Sequence, residues 1–161
     1  MSYSHMTHLE QKRFSGLSQR TSNALEMTEK RQIPLLWNRF WQQDTSVLLP
    51  PNKKDQSIIA LYSHYEQQEN GLYSFSVGAF TEHSDMLPEP YEDIYLPASA
   101  YAVFTSRIGP IEDIVLDTWK EIWSWDKRHL RTFSGDFEQY DQSALSPQRA
   151  QVKIFVAINL V

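Results

Sequence analysis

The residues that could do chemistry converge on one stretch, Thr132-Phe133-Ser134-Gly135-Asp136-Phe137-Glu138-Gln139-Tyr140-Asp141. It alternates as a strand does. Ser134, Asp136, Glu138 and Tyr140 fall on one face, and Phe133, Gly135, Phe137 and Gln139 on the other. Glu138 is then a carboxylate set among bulky aromatic residues, with Tyr140 beside it. If that face lines a groove, burial raises the pKa of Glu138, and the negative charge of Asp136 on the same face raises it further. A ligand cation relieves the cost. It gains a Coulomb partner in low dielectric and about 0.5–2 kcal/mol for each aromatic face it meets. A flat, delocalised organic cation suits such a pocket better than a compact ammonium, because it gives up less hydration. The competing reading of Glu138 is a carboxylate on a solvated strand face.

Other chemistries have little support. The chain has 161 residues and no cysteine, which excludes disulfides, thiol catalysis and cysteine-based metal centres. There is no nucleophile-elbow sequence, no glycine-rich phosphate loop and no His-Glu-x-x-His helix. The histidines, at 5, 8, 64, 83 and 129, are scattered, and Ser84-Asp85 and Ser134 have no histidine partner in context. No cofactor or metal is expected. A formal net charge of -5 argues against a nucleic-acid-coating surface and is compatible with cationic ligands. No apolar run approaches the roughly 18–20 residues of a membrane helix. The polar start, Met1 to Glu10, lacks the apolar core of a signal peptide, so the expected location is cytoplasmic with no membrane contact.

The elements that must position Glu138 can be read in order. Residues 8–21 read as a first strand. Asn23 and Glu26 have capping-box spacing for a helix carrying Ile33, Leu36, Trp37, Phe40 and Trp41. Pro34 either breaks that helix or opens its main part. Ser57 to Glu66 reads as a strand, Asn70-Gly71 as a hairpin turn, and Leu72 to Phe80 as the partner strand, with Tyr73, Phe75, Val77 and Ala79 on one face. Residues 82–97, holding Glu82, Asp85, Glu89, Glu92 and Asp93 with prolines at 88, 90 and 97, read as a connecting loop. Its carboxylates are solvated, or draw cations to a groove mouth. Ser99 to Ile108 is a strand. Pro110 opens a helix with Glu112 and Asp113 in its first turn, where the helix dipole favours them, ending around Asp126 to His129. The stretch around Glu138 and a closing strand from Ala150 to Val161 complete the chain.

This order is strand–helix–strand–strand, twice. Ile33 to Trp41 can be laid on Val115 to Trp123, each with Trp-x-x-x-Trp, and Val77-Gly78-Ala79 on Val156-Ala157-Ile158. Tyr65-Glu66 then matches Phe137-Glu138, which makes Glu66 the second candidate carboxylate. The predicted fold is α+β: one domain over 1–161, a pseudo-twofold tandem repeat with an antiparallel sheet and two main helices. Repeat one covers about 8–81, the connector 82–97 and repeat two about 98–161. Each half is too small for a good core of its own, and two halves sharing one create a groove at their join. Trp37 and Trp123 read first as core. Trp41 and Trp119 are candidates for the groove walls, and Tyr62, Tyr73, Tyr101 and Tyr140 have the apolar ring and polar tip that suit a lining.

Nearly the whole chain resembles a known family. The resemblance is carried by Gly16-Leu17-Ser18, Ile33-Pro34-Leu35-Leu36-Trp37-Asn38-Arg39-Phe40, Tyr73-Ser74-Phe75-Ser76-Val77-Gly78, Tyr101-Ala102-Val103-Phe104, Trp119-Lys120-Glu121-Ile122-Trp123 and Asp136-Phe137-Glu138-Gln139-Tyr140-Asp141. In order and spacing these are similar to the gyrase-inhibitor-like small-molecule-binding domain, also the effector-binding domain of AraC-type and MerR-type multidrug-sensing activators. The resemblance implies a central aromatic groove. In it the carboxylate of Phe-Glu-x-Tyr, here Glu138, contacts cationic lipophilic drugs and dyes. The walls implied are Tyr101, Trp119 and Tyr140, with Trp41, Tyr62 and Phe80 from the first half. Activators of this kind carry a helix-turn-helix segment ahead of the module. Here the module starts almost at residue 1, so a stand-alone binding protein without direct nucleic-acid contact is expected. Two alternatives on the same fold are a hydrolase of cyclopropane-containing natural products, using Glu138 with Tyr140 or Tyr101, and a protein-interaction module such as a gyrase inhibitor.

Overall fold

Alternating apolar residues build one sheet from both repeats, and each repeat contributes one long helix. The computed structural model describes residues 2–82 and 86–160. His83, Ser84 and Asp85, the last among the connector carboxylates, lie outside the described residues, as do Met1 and the Val161 end of the closing strand. The strands are β1 (Tyr3–Leu9), β2 (Lys12–Ser22), β3 (Ile58–Ser63), β4 (Leu72–Thr81), β5 (Glu92–Leu96), β6 (Ser99–Thr105), β7 (Asp136–Tyr140) and β8 (Lys153–Ile158). The helices are α1 (Asn23–Glu26), α2 (Ile33–Trp41) and α3 (Ile111–Trp123).

The sheet is eight-stranded, in the order β1-β6-β8-β7-β3-β4-β2-β5, and its pairings are antiparallel. Reading outward from the centre gives β3-β4-β2 on one side and β7-β8-β6 on the other, so the pseudo-twofold axis passes between β3 and β7. The outermost strands are exchanged. β1 precedes repeat one but pairs with β6 of repeat two, and β5 precedes repeat two but pairs with β2 of repeat one. Each half thus shields the other's sheet edge.

Two expectations are corrected here. The strand placed over 8–21 is two strands, and the earlier one crosses to the far side of the sheet. The connector 82–97 is not a loop throughout, because its second part is β5. The composition of β5 hid its alternation: Leu96 is buried, while Asp93 accepts hydrogen bonds from the Ser15 hydroxyl at 2.7 Å and the Arg13 guanidinium at 3.1 Å. Charged residues are common on edge strands, where they discourage further pairing.

The break before α2 has a specific cause. The Ser22 hydroxyl, not Asn23, caps α1 by accepting the Leu25 N–H at 3.0 Å. The Glu26 carboxylate is thereby free to accept the N–H groups of Gln32 at 2.8 Å and Ile33 at 3.1 Å. These are orphan donors at the start of α2, where Pro34 supplies the fixed φ of a first turn. The Asn70-Gly71 turn is longer than a two-residue hairpin. Residues 64–71 connect β3 to β4, with His64 and Gln68 in left-handed conformations (φ 51° and 54°). Tyr65 and Glu66 therefore lie beyond the strand. β7 likewise starts only at Asp136, because Phe133 and Gly135 take φ of 56° and 142°. α3 ends at Trp123, one turn before the expected stop, and β6 and β8 are also shorter than expected.

The sheet buries side chains on both faces. α2 packs Leu36 and Phe40 against Leu17, Tyr73, Phe75 and Val77. α3 packs Trp119 and Ile122 against Ala102, Phe104, Ile154 and Val156. The opposite face holds Phe14, Ile59, Leu61 and Phe137, with Phe137 stacked on Phe155 at 4.6 Å.

β2 and β4 approach unusually closely where Gly16 faces Gly78. A Cβ on Gly78 would lie 1.9 Å from the Ser15 carbonyl oxygen, and one on Gly16 would lie 2.2 Å from that of Val77. Neither backbone atom can yield without opening the ladder. Gly78→Ala is therefore expected to destabilise the protein by roughly 2–4 kcal/mol, measured as a lowered urea midpoint at unchanged slope. A midpoint within error of the parent would contradict this packing.

Candidate functional site

Glu138 lies on the helix side of β7, at the centre of the sheet and at the pseudo-twofold join. It is 2% exposed. Its Oε2 accepts the Tyr62 hydroxyl at 2.8 Å and the Trp119 indole N–H at 2.7 Å, and its Oε1 accepts the Tyr140 hydroxyl at 2.5 Å. These partners come from β3, α3 and β7, so both repeats hold one side chain. All three are neutral. Among the described residues, no ion pair is made to Glu138. Burial pushes its pKa above the ordinary glutamate range, and the hydrogen bonds from Tyr140, Trp119 and Tyr62 partly oppose that rise. The Tyr62 and Tyr140 phenols are driven well above their usual value, by burial first and the Glu138 charge next. They stay protonated and keep donating. An indole N–H can only donate, so the arrangement favours the ionised carboxylate while burial disfavours it.

Asp136, on the same face, does not act as a second free charge. It is fully buried, and Oδ2 accepts the Arg131 guanidinium at 2.8 Å and the Tyr65 hydroxyl at 2.7 Å. Its Oδ1 accepts the Ala157 backbone N–H at 2.8 Å. The expectation that Asp136 raises the pKa of Glu138 is thus corrected: burial does so, and Arg131 meets the charge of Asp136.

Glu138 faces a groove of about 1380 Å³ between α2 and α3. The walls are pseudo-symmetric. Trp37 stacks on Trp41 at 6.2 Å and meets Tyr140 edge-on at 5.2 Å. On the other side Trp119 and Trp123 lie 6.3 Å apart, and Trp119 meets Tyr62 edge-on at 5.0 Å. Trp41 and Trp123, 59% and 39% exposed, form the mouth, while Trp119, at 7%, lies at the floor. The groove can therefore take a large apolar body against aromatic faces and bring one charge to Glu138. Among the described residues, no group of three or more His, Asp or Glu is arranged to hold a metal ion.

The structure brings Glu138, Tyr140, Trp119, Trp41 and Tyr62 together around this groove. It places three other candidates elsewhere. Tyr101 and Phe80 belong to the cluster on the opposite face of the sheet, where both meet Phe137 edge-on, at 5.6 and 5.1 Å. Strand parity decides this: Ala102 and Phe104 point to the helices, so Tyr101 points away, and Tyr73 to Ala79 do the same for Phe80. Glu66 lies in the 64–71 connection, exposed and paired with Arg20 at 2.6 Å. It is not the repeat mate of Glu138. Tyr62 stands opposite Phe75, and Glu138 stands opposite Ile154. The frame that lays Val77–Ala79 on Val156–Ile158 lays Phe75 on Ile154, so Tyr62 is the counterpart. Sequence reasoning took Trp37 and Trp123 as core, although both line the groove. It also missed Tyr65 and Arg131. The i, i+4 spacing of each tryptophan pair was the available signal for Trp37 and Trp123.

Comparison with known proteins places the fold in a family. Over most of its length the chain is 73% identical to a protein of Bacillus subtilis (strain 168) described as the putative transcriptional regulator protein YobU; the match spans 158 residues, 98% of this chain and 99% of that one. An integron cassette protein from the mobile metagenome of Vibrio cholerae superposes with a TM-score of 0.74 at 24% identity, over 96% of this chain and 95% of its own. SAV2435, determined bound to tetraphenylphosphonium, superposes with a TM-score of 0.77 at 18% identity, over 99% of this chain and 95% of its own. Residues 5–158 match the family model Cass2, integron-associated effector binding protein. The chain belongs to this Cass2 family of effector-binding proteins.

Proposed function

We propose that this protein binds lipophilic organic cations in the groove between α2 and α3, with Glu138 as the counter-charge. The observation that carries the reading is a carboxylate 2% exposed, served by neutral donors and by no cation, at the floor of an aromatic groove. An uncompensated buried charge is costly, and a cation that also meets indole faces offsets that cost. The ligand's charge is shielded or delocalised, because a compact ammonium would lose too much hydration on entering. SAV2435 shares the fold and was determined with tetraphenylphosphonium, a cation whose charge is wrapped in aryl groups. In the regulator-like setting suggested by YobU, such a module would report or sequester the ligand.

Titration of tryptophan fluorescence tests the charge term. A tetra-aryl phosphonium is expected to bind at least ten-fold more tightly than an uncharged phosphine oxide of similar size. Glu138→Gln is expected to lose about 2 kcal/mol or more of cation affinity, roughly thirty-fold, with little change for the neutral compound. Equal affinities for the two compounds, or a Gln variant that binds the cation as the parent does, would overturn the reading.

The raised pKa of Glu138 adds a pH dependence with a fixed sign. A permanent cation binds the ionised form, so its affinity rises with pH through a window above the ordinary glutamate value, and binding releases a proton. Stability of the free protein runs the other way. A carboxyl whose folded pKa is raised binds more protons folded than unfolded, so stability falls as pH rises through the same window. Calorimetric titrations in buffers of different ionisation enthalpy would show the released proton. A pH-independent affinity matching that of Glu138→Gln would contradict the assignment.

A further inference from the structure

Two arginines line the groove, an exposed Arg31 and a buried Arg131 whose side chain is 4% exposed. The Arg131 guanidinium lies 4.2 Å from the Phe133 ring and 6.0 Å from the ring of Trp119, whose indole N–H donates to Glu138. It is a planar, delocalised cation among aromatics beside a buried carboxylate, which is the chemistry proposed for the ligand. Yet it is bonded to Asp136 and not to Glu138. Its hold there is through one terminal nitrogen, and its Nε is buried without a hydrogen-bond partner among the described residues. Asp136, by contrast, is fixed on every side, by Arg131, Tyr65 and the Ala157 N–H. Asp136 and Glu138 lie two residues apart on one strand face, about 7 Å along the chain. That distance is within the swing of an arginine side chain.

We infer that Asp136 is a positioning residue that tethers Arg131 and so keeps the groove's buried cation off Glu138, leaving that carboxylate vacant for a ligand. Without Asp136, Arg131 carries an unpaired buried charge, and Glu138, the other buried carboxylate on that strand face, can neutralise it. The protein would then plug its own site. This rests on the proposed role of Glu138 as counter-charge, and it adds an internal competitor whose position sets the affinity for external cations.

The test compares a tetra-aryl phosphonium with its neutral analogue on the full chain. Asp136→Asn keeps the shape and removes the charge. It is expected to weaken cation binding at least ten-fold and to spare the neutral compound. Asp136→Asn combined with Arg131→Met removes the plug as well and is expected to regain the lost cation affinity. A purely structural role for Asp136 would weaken binding of the neutral compound along with the cation. Cation binding by Asp136→Asn at the parent level overturns the inference, and so does a double variant that stays as weak as the single one. If Asp136→Asn does not fold, the double variant decides alone: it must keep the preference for cation over neutral compound, and loss of that preference overturns the tether. A parent protein with no such preference would instead overturn the underlying reading of Glu138.

Discussion

The cost of burying one carboxylate governs this structure. Glu138 sits where two repeats meet, almost wholly buried, and among the described residues no positive side chain pairs with it. Three hydrogen bonds to neutral donors soften the penalty without removing it, because burial still dominates the balance of its proton. Natural cores rarely keep such a group, since an apolar replacement is often as stable or more so. Its retention at the floor of a groove large enough for a multi-ring molecule is the physical basis of the binding role proposed for it.

Duplication makes the site available. The two halves contribute equivalent tryptophan pairs, on α2 and α3, to opposite walls. The symmetry is broken where it matters: the position of Glu138 in one half is that of Tyr62 in the other, and the phenol donates to the carboxylate. A second carboxylate there would have set two like charges in one dry space and raised the cost further. The exchanged outer strands bind the halves together, since β1 and β5 each complete the sheet of the opposite repeat. A groove at a join keeps its shape only if the join is firm, and this exchange makes it so.

Much of this was legible in the sequence, for identifiable reasons. Glu138 stood out because its carboxylate is set beside Phe137 and Tyr140 in a strand-like stretch, and because competing motifs were absent. The duplication was visible in Trp-x-x-x-Trp and in the repeated strand order. What escaped notice depended on register. Glu66 looked like the mate of Glu138 because Tyr65 precedes it, but the left-handed His64 ends β3 first. Tyr101 and Phe80 were placed in the wall by the family resemblance, and Tyr101 also by its residue type, although strand parity sends both to the opposite face. β5 was concealed by its carboxylates and flanking prolines, and its partner, β2, is far away in sequence. The Arg131–Asp136 pair joins residues on either side of the irregular backbone at Phe133 and Gly135, a contact that no periodicity announces.

The most direct measurement is a crystal structure of the protein with a tetra-aryl phosphonium bound. The account predicts the cationic centre between the Trp37–Trp41 and Trp119–Trp123 walls, within about 6 Å of an aromatic face. The Glu138 carboxylate should be the nearest negative group, and Arg131 should remain on Asp136. A cation lodged outside the groove, or one inside it whose charge is met elsewhere, would contradict the account.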